Sequence, residues 1–223
     1  MKDIREKLPA LPFWDKLSRS EQEFAERSAV MRGCESGEII SGRDTACLGM
    51  TLVLSGELRV YILSEEGREI TLFRLSEGDV CVLSASCIIS QITFDTHIVA
   101  ENATEILVLS SDAFSSLVDK NIYARCFMYE KMSEHFSAVM WSMQQILFMR
   151  FDRRLASFLL SECERTGTQE INMTHEQIAQ HVNSAREVVA RMLKRFVSEG
   201  FVELRRGSIL ITDKSKLDDL LTS

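Results

Sequence analysis

Apolar and polar positions change period twice along this chain. Residues 15–29 read as a short amphipathic helix, with Leu17, Phe24 and Ala25 on one face. From about Gly37 to Leu109 the period is two. In GELRVYIL, Leu58, Val60 and Ile62 alternate with Glu57, Arg59 and Tyr61. Ser64-Glu65-Glu66-Gly67 and Ser76-Glu77-Gly78-Asp79 are turn signals, and REITLFRL, ITFDTHIVAE and ATEILVLS resume as strands. Short strands divided by polar turns predict an all-β barrel or roll.

The second change comes after Leu109. No Gly or Pro occurs from Asp112 to Met149, and Ile122, Cys126, Tyr129, Met132, Phe136, Met140, Met143 and Leu147 recur at steps of three or four. That is one stripe on a helix of roughly 30 residues. It outruns a small domain, which favours pairing with a second copy over packing wholly on its own barrel. Beyond it, FDRRLASFLLSECERTG predicts a helix ended by Gly167, and EINM a short strand. THEQIAQHV and SAREVVARMLKRFVSEG predict two closely spaced helices. FVELRRGSILIT predicts a hairpin turning near Gly207, and KSKLDDLL a last helix. The expected organisation is a sensing domain over 1–118, a dimerisation helix over 119–149 and a third element over 150–223.

Composition adds a charge asymmetry. The 223 residues carry a net charge of −7, which by itself does not suggest a nucleic-acid binder. Residues 1–149 hold 14 Lys and Arg against 22 Asp and Glu, whereas residues 150–223 hold 12 against 11. The two parts therefore suit different partners. The charged N-terminus MKDIREKLPALPFWDKL has no signal-peptide core, and no apolar run approaches a membrane span. A cytoplasmic location follows as the expectation, with six reduced cysteines and no membrane partner.

The helix pair from Thr174 to Glu199 carries the functional signal. Thr174-x-x-Gln177 and Ser184-x-x-Glu187 both match the capping-box pattern. Ile178, Ala179 and Val182 can pack on Val189, Met192 and Leu193, with Ala179 and Ala190 small enough for a close crossing. Two tightly linked helices followed by a hairpin form a winged DNA-binding unit, whose second helix presents its first turns to the major groove. Arg186 and Arg191 can each bond guanine O6 and N7, and Glu187 can accept from cytosine N4. Thr174, Ser184, Lys194, Arg195, Arg205 and Arg206 are the candidates for backbone contacts, which supply affinity without sequence information. Against this stands the plain alternative that Glu187 only completes a capping box and that the arginines form a solvated face.

SAREVVARML, with THEQIAQHV before it and the hairpin after it, resembles the helix-turn-helix of the CRP/FNR family of bacterial transcription regulators. The resemblance covers nearly the whole chain. It implies an α+β protein: an N-terminal cyclic-nucleotide-binding-like β-roll, a long dimerisation helix and a C-terminal winged helix-turn-helix. Arg186, Glu187 and Arg191 match the family's Arg, Glu and Arg, most like members reading a TGTGA-like half-site, while Val188 replaces the usual Thr. The implied partners are double-stranded DNA bearing a palindrome, a second copy of the chain, RNA polymerase, and an effector that is a small molecule or a redox signal. The resemblance implies no enzyme.

The effector stays open at this point. Cyclic-nucleotide-binding members follow a Gly-Asp turn closely with a Gly-Glu pair and later an Arg-Ser pair. Here Gly78-Asp79 leads into Val80-Cys81-Val82-Leu83-Ser84, and ITFDTHIVAEN has no arginine. Cyclic AMP is not expected, since its phosphate would lack a guanidinium partner. No cysteine precedes Cys34, so the iron–sulfur pattern of the FNR branch is absent. CVLSASCII places Cys81 and Cys87 as structural thiols, a redox switch, or metal or haem ligands, with His97 a further axial candidate. A rival reading makes the chain a thiol- or metal-based redox protein acting through Cys81 and Cys87. His175-Glu176 with His181 lacks zincin spacing, and no metal site is assigned.

Overall fold

The computed structural model describes residues 4–42, 48–84 and 95–222. They form two compact units, Met1–Arg68 with Leu72–Met140, and Glu69–Thr71 with Trp141–Ser223. In the first unit, Ser18 opens helix α2 (Arg19–Ser28) with a capping box. Its hydroxyl accepts the Glu21 N–H at 3.4 Å, and the Glu21 carboxylate accepts the Ser18 N–H at 2.7 Å. Leu17 therefore precedes the helix instead of lying on it, although it is buried as expected. A four-residue helix α1 (Ile4–Lys7) comes before.

Among the described residues eight strands follow: β1 (Ala29–Cys34), β2 (Ile39–Ser41), β3 (Met50–Ser55), β4 (Glu57–Leu63), β5 (Glu69–Ser76), β6 (Val80–Cys81), β7 (His97–Ala100) and β8 (Thr104–Leu109). They make two four-stranded sheets, ordered β1-β8-β3-β6 and β2-β7-β4-β5. Side chains of both sheets share one core: Val53, Ile106 and Val108 from the first meet Leu58, Val60 and Ile98 from the second. On β8 the alternate residues Leu107 and Leu109 join a separate core with Phe114 and Leu117 of α3 (Ser111–Lys120). Both faces of β8 are thus covered, and ILVL reads as a continuous apolar run.

β4 alternates as the pattern predicts, with Leu58 and Val60 in the shared core. The other face is not solvated. Glu57, Arg59 and Tyr61 are all buried. Arg59 pairs with Glu101 at 2.6 Å and lies 4.6 Å over the Tyr61 ring, while Arg74 pairs with Glu57 at 3.1 Å. Buried charges survive because each has a partner of opposite sign.

The expected long helix begins just after Asn121, separate from α3. The Asn121 Oδ1 accepts the N–H groups of Tyr123 and Ala124, at 3.0 and 3.3 Å, and so starts this helix, α4 (Ile122–Phe148). α4 has two apolar faces. Ala124, Phe127, Met128 and His135 are buried within the first unit. Met132 packs partly buried against both cores of that unit, so it leaves the predicted pairing stripe. Ser133 takes its place. Ile122, Cys126, Tyr129, Ser133, Phe136, Met140, Met143 and Leu147 are all exposed and alternate steps of four and three.

The second unit contains α5 (Phe151–Thr166), β9 (Glu170–Ile171), α6 (His175–His181), α7 (Arg186–Ser198), β10 (Val202–Arg205), β11 (Ser208–Ile211) and α8 (Lys214–Thr222). Gly167 ends α5 at φ 67°, a left-handed cap that glycine adopts without strain. β10, β11 and β9 form a small antiparallel sheet. Leu159, Ile178, Val189, Leu193, Phe196 and Ile209 fill the core that α5, α6, α7 and this sheet share.

Candidate nucleic-acid interface

α6 begins as the sequence predicts. The Thr174 hydroxyl accepts the Gln177 N–H at 3.2 Å, and the Gln177 side chain accepts the Thr174 N–H at 2.9 Å. The second expected capping box does not form. Ala185, not Ser184, occupies the N-cap of α7, with no side-chain cap, and the Ser184 N–H bonds instead to the Ala179 carbonyl at 2.9 Å. Glu187 is therefore not spent on capping, and its side chain is exposed.

The turn between the helices depends on a residue that the sequence reading passed over. Asn183 has φ 52°, in the left-handed region that asparagine tolerates better than most residues. Its Oδ1 accepts the Thr71 N–H at 2.7 Å, and its Nδ2 donates to the Thr71 carbonyl at 3.1 Å. The Thr71 hydroxyl donates to the Gln180 carbonyl at 2.8 Å. An asparagine between two closely spaced helices was the available signal, but its partner lies 112 residues away and no local pattern points to it.

α7 divides into two faces. Val189, Leu193 and Phe196 are buried. Arg186, Glu187 and Arg191 are exposed and span an arc of about 140° that begins beside the buried one, at about 100° per residue. None of the three makes an ion pair among the described residues. A cleft of about 560 Å³ lies between the start of α6, Arg186, and the tip of the hairpin at Arg205 and Gly207. Gly207 turns that hairpin at φ 84°.

The predicted backbone contacts separate by charge pairing. Lys194 and Arg206 are exposed and unpaired among the described residues. Arg195 is held by Glu199 at 2.7 Å and Asp152 at 3.8 Å. Arg205 is held by Glu203 at 3.3 Å and Glu170 at 3.6 Å. The Ser208 hydroxyl bonds Glu170 at 2.7 Å and, with the Arg205 charge, holds its carboxyl below the usual range. Ser184 is half-buried and Thr174 exposed.

His175 was read only as half of a failed zincin pattern, yet it lines the cleft beside Arg186. Burial, then the Arg186 charge, pulls its pKa below the ordinary histidine value. His181 instead stacks on Phe158 at 5.2 Å.

In the roll, Cys81 is fully buried and opposite Thr51 across the β3–β6 pair. Burial pushes its thiol pKa up, against hydrogen bonds from Ser84 and Leu83 that favour the thiolate. That is the setting of an unreactive core thiol. Cys87 lies outside the described residues. His97 stacks half-buried on Tyr61 at 5.2 Å. Among the described residues no group of three or more His, Cys, Asp or Glu could hold a metal, and no helix is long and apolar enough to cross a membrane.

Comparison with known proteins gives matches over both units. Residues 31–121 match the model of the cyclic nucleotide-binding domain, and residues 153–220 that of the Crp-like helix-turn-helix domain. A crystal structure from Eubacterium rectale, assigned to the crp/fnr family of transcriptional regulators, superposes with a TM-score of 0.92. The two are 40% identical over 96% of this chain and 100% of that one. A CRP-like cAMP-activated global transcriptional regulator of Mycobacterium tuberculosis is 25% identical over 177 residues, 74% of this chain and 76% of that protein. The c-di-GMP responsive global regulator CLP of Xanthomonas campestris shares the fold at 14% identity, with a TM-score of 0.71 over 88% of this chain and 100% of that one.

Proposed function

The chain belongs to the CRP/FNR family of DNA-binding transcription regulators, and from that premise we propose that it binds a palindromic DNA site as a homodimer under the control of an effector other than cyclic AMP. The carrying observation is the outward face of α7. Arg186, Glu187 and Arg191 are exposed and uncommitted on the helix that enters the major groove in helix-turn-helix proteins. Arg186 and Arg191 read guanine, and Glu187 accepts from cytosine. Lys194 and Arg206 supply the phosphate contacts, with Thr174 and Ser184 as polar additions and Arg195 and Arg205 in lesser roles because carboxylates already hold them.

The exposed four–three repeat from Ile122 to Leu147 is the dimer seam. Two copies paired along it carry two copies of α7, which calls for half-sites related by a dyad, with centres about 34 Å apart. The effector acts by favouring one arrangement of the paired regulator over another. Cyclic AMP is disfavoured because the residues after Gly78-Asp79 are Val80, Cys81, Val82 and Leu83, all buried apolar side chains. The buried, pKa-raised Cys81 speaks against the thiol-redox reading.

Selection of bound sequences from a random duplex pool tests the proposal. The expected outcome is a dyad-symmetric consensus, with Arg186→Ala losing about 1–3 kcal/mol of discrimination against a mutated half-site. A consensus without a dyad, or unchanged discrimination in Arg186→Ala, overturns it.

A further inference from the structure

The C-terminal end of α4 and the start of α5 enclose a cleft of about 400 Å³, apart from the DNA-reading face. Trp141, Gln144, Gln145 and Phe148 line it at the spacing of one helical face, and Arg153 and Ser157 line it one turn apart on α5. Trp141 is 55% exposed and Phe148 81%. Each ring sits one residue past a repeat position, Met140 and Leu147, and so borders the proposed seam; rings this open are covered either by a second copy or by a ligand. The polar groups around them are uncommitted. The carboxamides of Gln144 and Gln145, the Arg153 guanidinium and the Ser157 hydroxyl make no side-chain hydrogen bond or ion pair among the described residues.

The neighbouring charges are all spent elsewhere. Asp152 pairs with Arg150 at 3.1 Å and Arg195 at 3.8 Å. Arg154 donates to the Gln145 and Ile146 carbonyls and so caps the end of α4. Among the described residues Arg153 is left as a half-buried cation with no carboxylate, beside an indole and a phenyl ring. An unpaired cation against apolar walls favours an anion that carries its own apolar body, and the volume falls in the range of small-molecule sites.

We propose that this cleft binds a small aromatic carboxylate, the ring lying against Trp141 and Phe148 and the carboxylate on Arg153, with Gln144, Gln145 and Ser157 as donors. The site does not depend on the assignment of the DNA-reading residues. Trp14 and Trp141 are the only two tryptophans in the chain, so a Trp14→Phe background makes Trp141 the sole indole reporter. Benzoate is the probe, with benzyl alcohol as its uncharged counterpart. The expected result is a saturable change in Trp141 emission with benzoate, no comparable change with benzyl alcohol, and at least tenfold weaker binding in Arg153→Gln. No saturable change, an equal response to benzyl alcohol, or unchanged affinity in Arg153→Gln overturns the proposal. So does shielding of Trp141 from acrylamide in the ligand-free dimer that disappears in a Phe136→Asp monomer, since a second copy then fills the cleft.

Discussion

Cys126 provides a direct test of the pairing seam, because it is exposed at one of the eight repeat positions. The positions run over 25 residue steps, roughly 38 Å of helix. Paired helices sit about 8–10 Å apart, and each Cα lies about 2.3 Å from its axis. In a parallel, in-register pair the two Cys126 Cα atoms then face each other at up to about 5.4 Å, inside the ~4.4–6.8 Å range of a disulfide. In an antiparallel pair Cys126 faces Met143, and the two cysteines stand 17 steps apart, roughly 25 Å, which no disulfide can bridge. Mild copper–phenanthroline oxidation followed by a non-reducing gel should give a covalent dimer, and Cys126→Ser should abolish it. Cys34, Cys81 and Cys163 are buried and should not substitute, and the test uses a protein in which Cys47 and Cys87, outside the described residues, are replaced by Ser. A protein that sediments as a dimer yet forms no cross-link, or that cross-links equally in Cys126→Ser, refutes the parallel seam.

Replacing Phe136, which is 66% exposed on the same stripe, by Asp should weaken association at least 100-fold, about 2.8 kcal/mol, read by sedimentation at several concentrations. On DNA, Lys194→Ala and Arg206→Ala should each weaken binding to all sequences alike and lower the salt slope of the dimer by about 2, one phosphate per protomer. Arg195→Ala and Arg205→Ala should move that slope less, because carboxylates already hold these side chains; equal effects from all four would contradict the pairing argument. His135 yields a pH dependence. It is buried, stacks on Phe73 at 4.6 Å, and its Nε2 has no hydrogen-bond partner among the described residues. Burial pulls its pKa down, with Lys131 in the same sense, against Glu134, Asp79 and the Val80 main chain. The folded chain therefore resists the charged form. The His135 contribution is full above the unfolded value of about 6.5 and shrinks as pH falls below it toward the lower folded value. His135→Phe keeps the stack and should remove this part of the slope in denaturation midpoints between about pH 5 and 8; a wild-type-minus-variant difference that is flat with pH sinks the assignment.

Much of the molecule was legible from period alone. The switch from period two to period three-to-four located the boundary between roll and helix. The close helix pair with a following hairpin located the winged helix-turn-helix unit. The errors share one cause, which is that periodicity does not say what lies opposite a face. Met132 fits the exposed stripe by spacing, but α4 buries a second face against the first unit, and Met132 belongs to that face. Arg59 reads as a solvent-facing strand residue, but Glu101 and Tyr61 hold it in a buried layer. Ser184-x-x-Glu187 has capping-box spacing, but the left-handed Asn183 and the Ser184–Ala179 bond shift the helix start by one residue. Local rules were overridden each time by a partner distant in sequence.

The same distinction resolves the paradox of an acidic chain that binds DNA. A net charge of −7 repels a polyanion at long range, and even residues 150–223 hold nearly as many acids as bases. On the proposed reading, what reaches DNA is the subset of cations that the fold leaves unpaired. The fold spends Arg150, Arg154, Arg165, Arg195 and Arg205 on carboxylates or helix ends. On α7 and the hairpin it leaves Arg186, Arg191, Lys194 and Arg206 unpaired among the described residues. Two phosphate-type cations per protomer give a modest non-specific affinity, so a single unit should bind weakly and two held together far more tightly, through effective concentration. On the proposed dimer, occupancy then depends on how the two copies are paired.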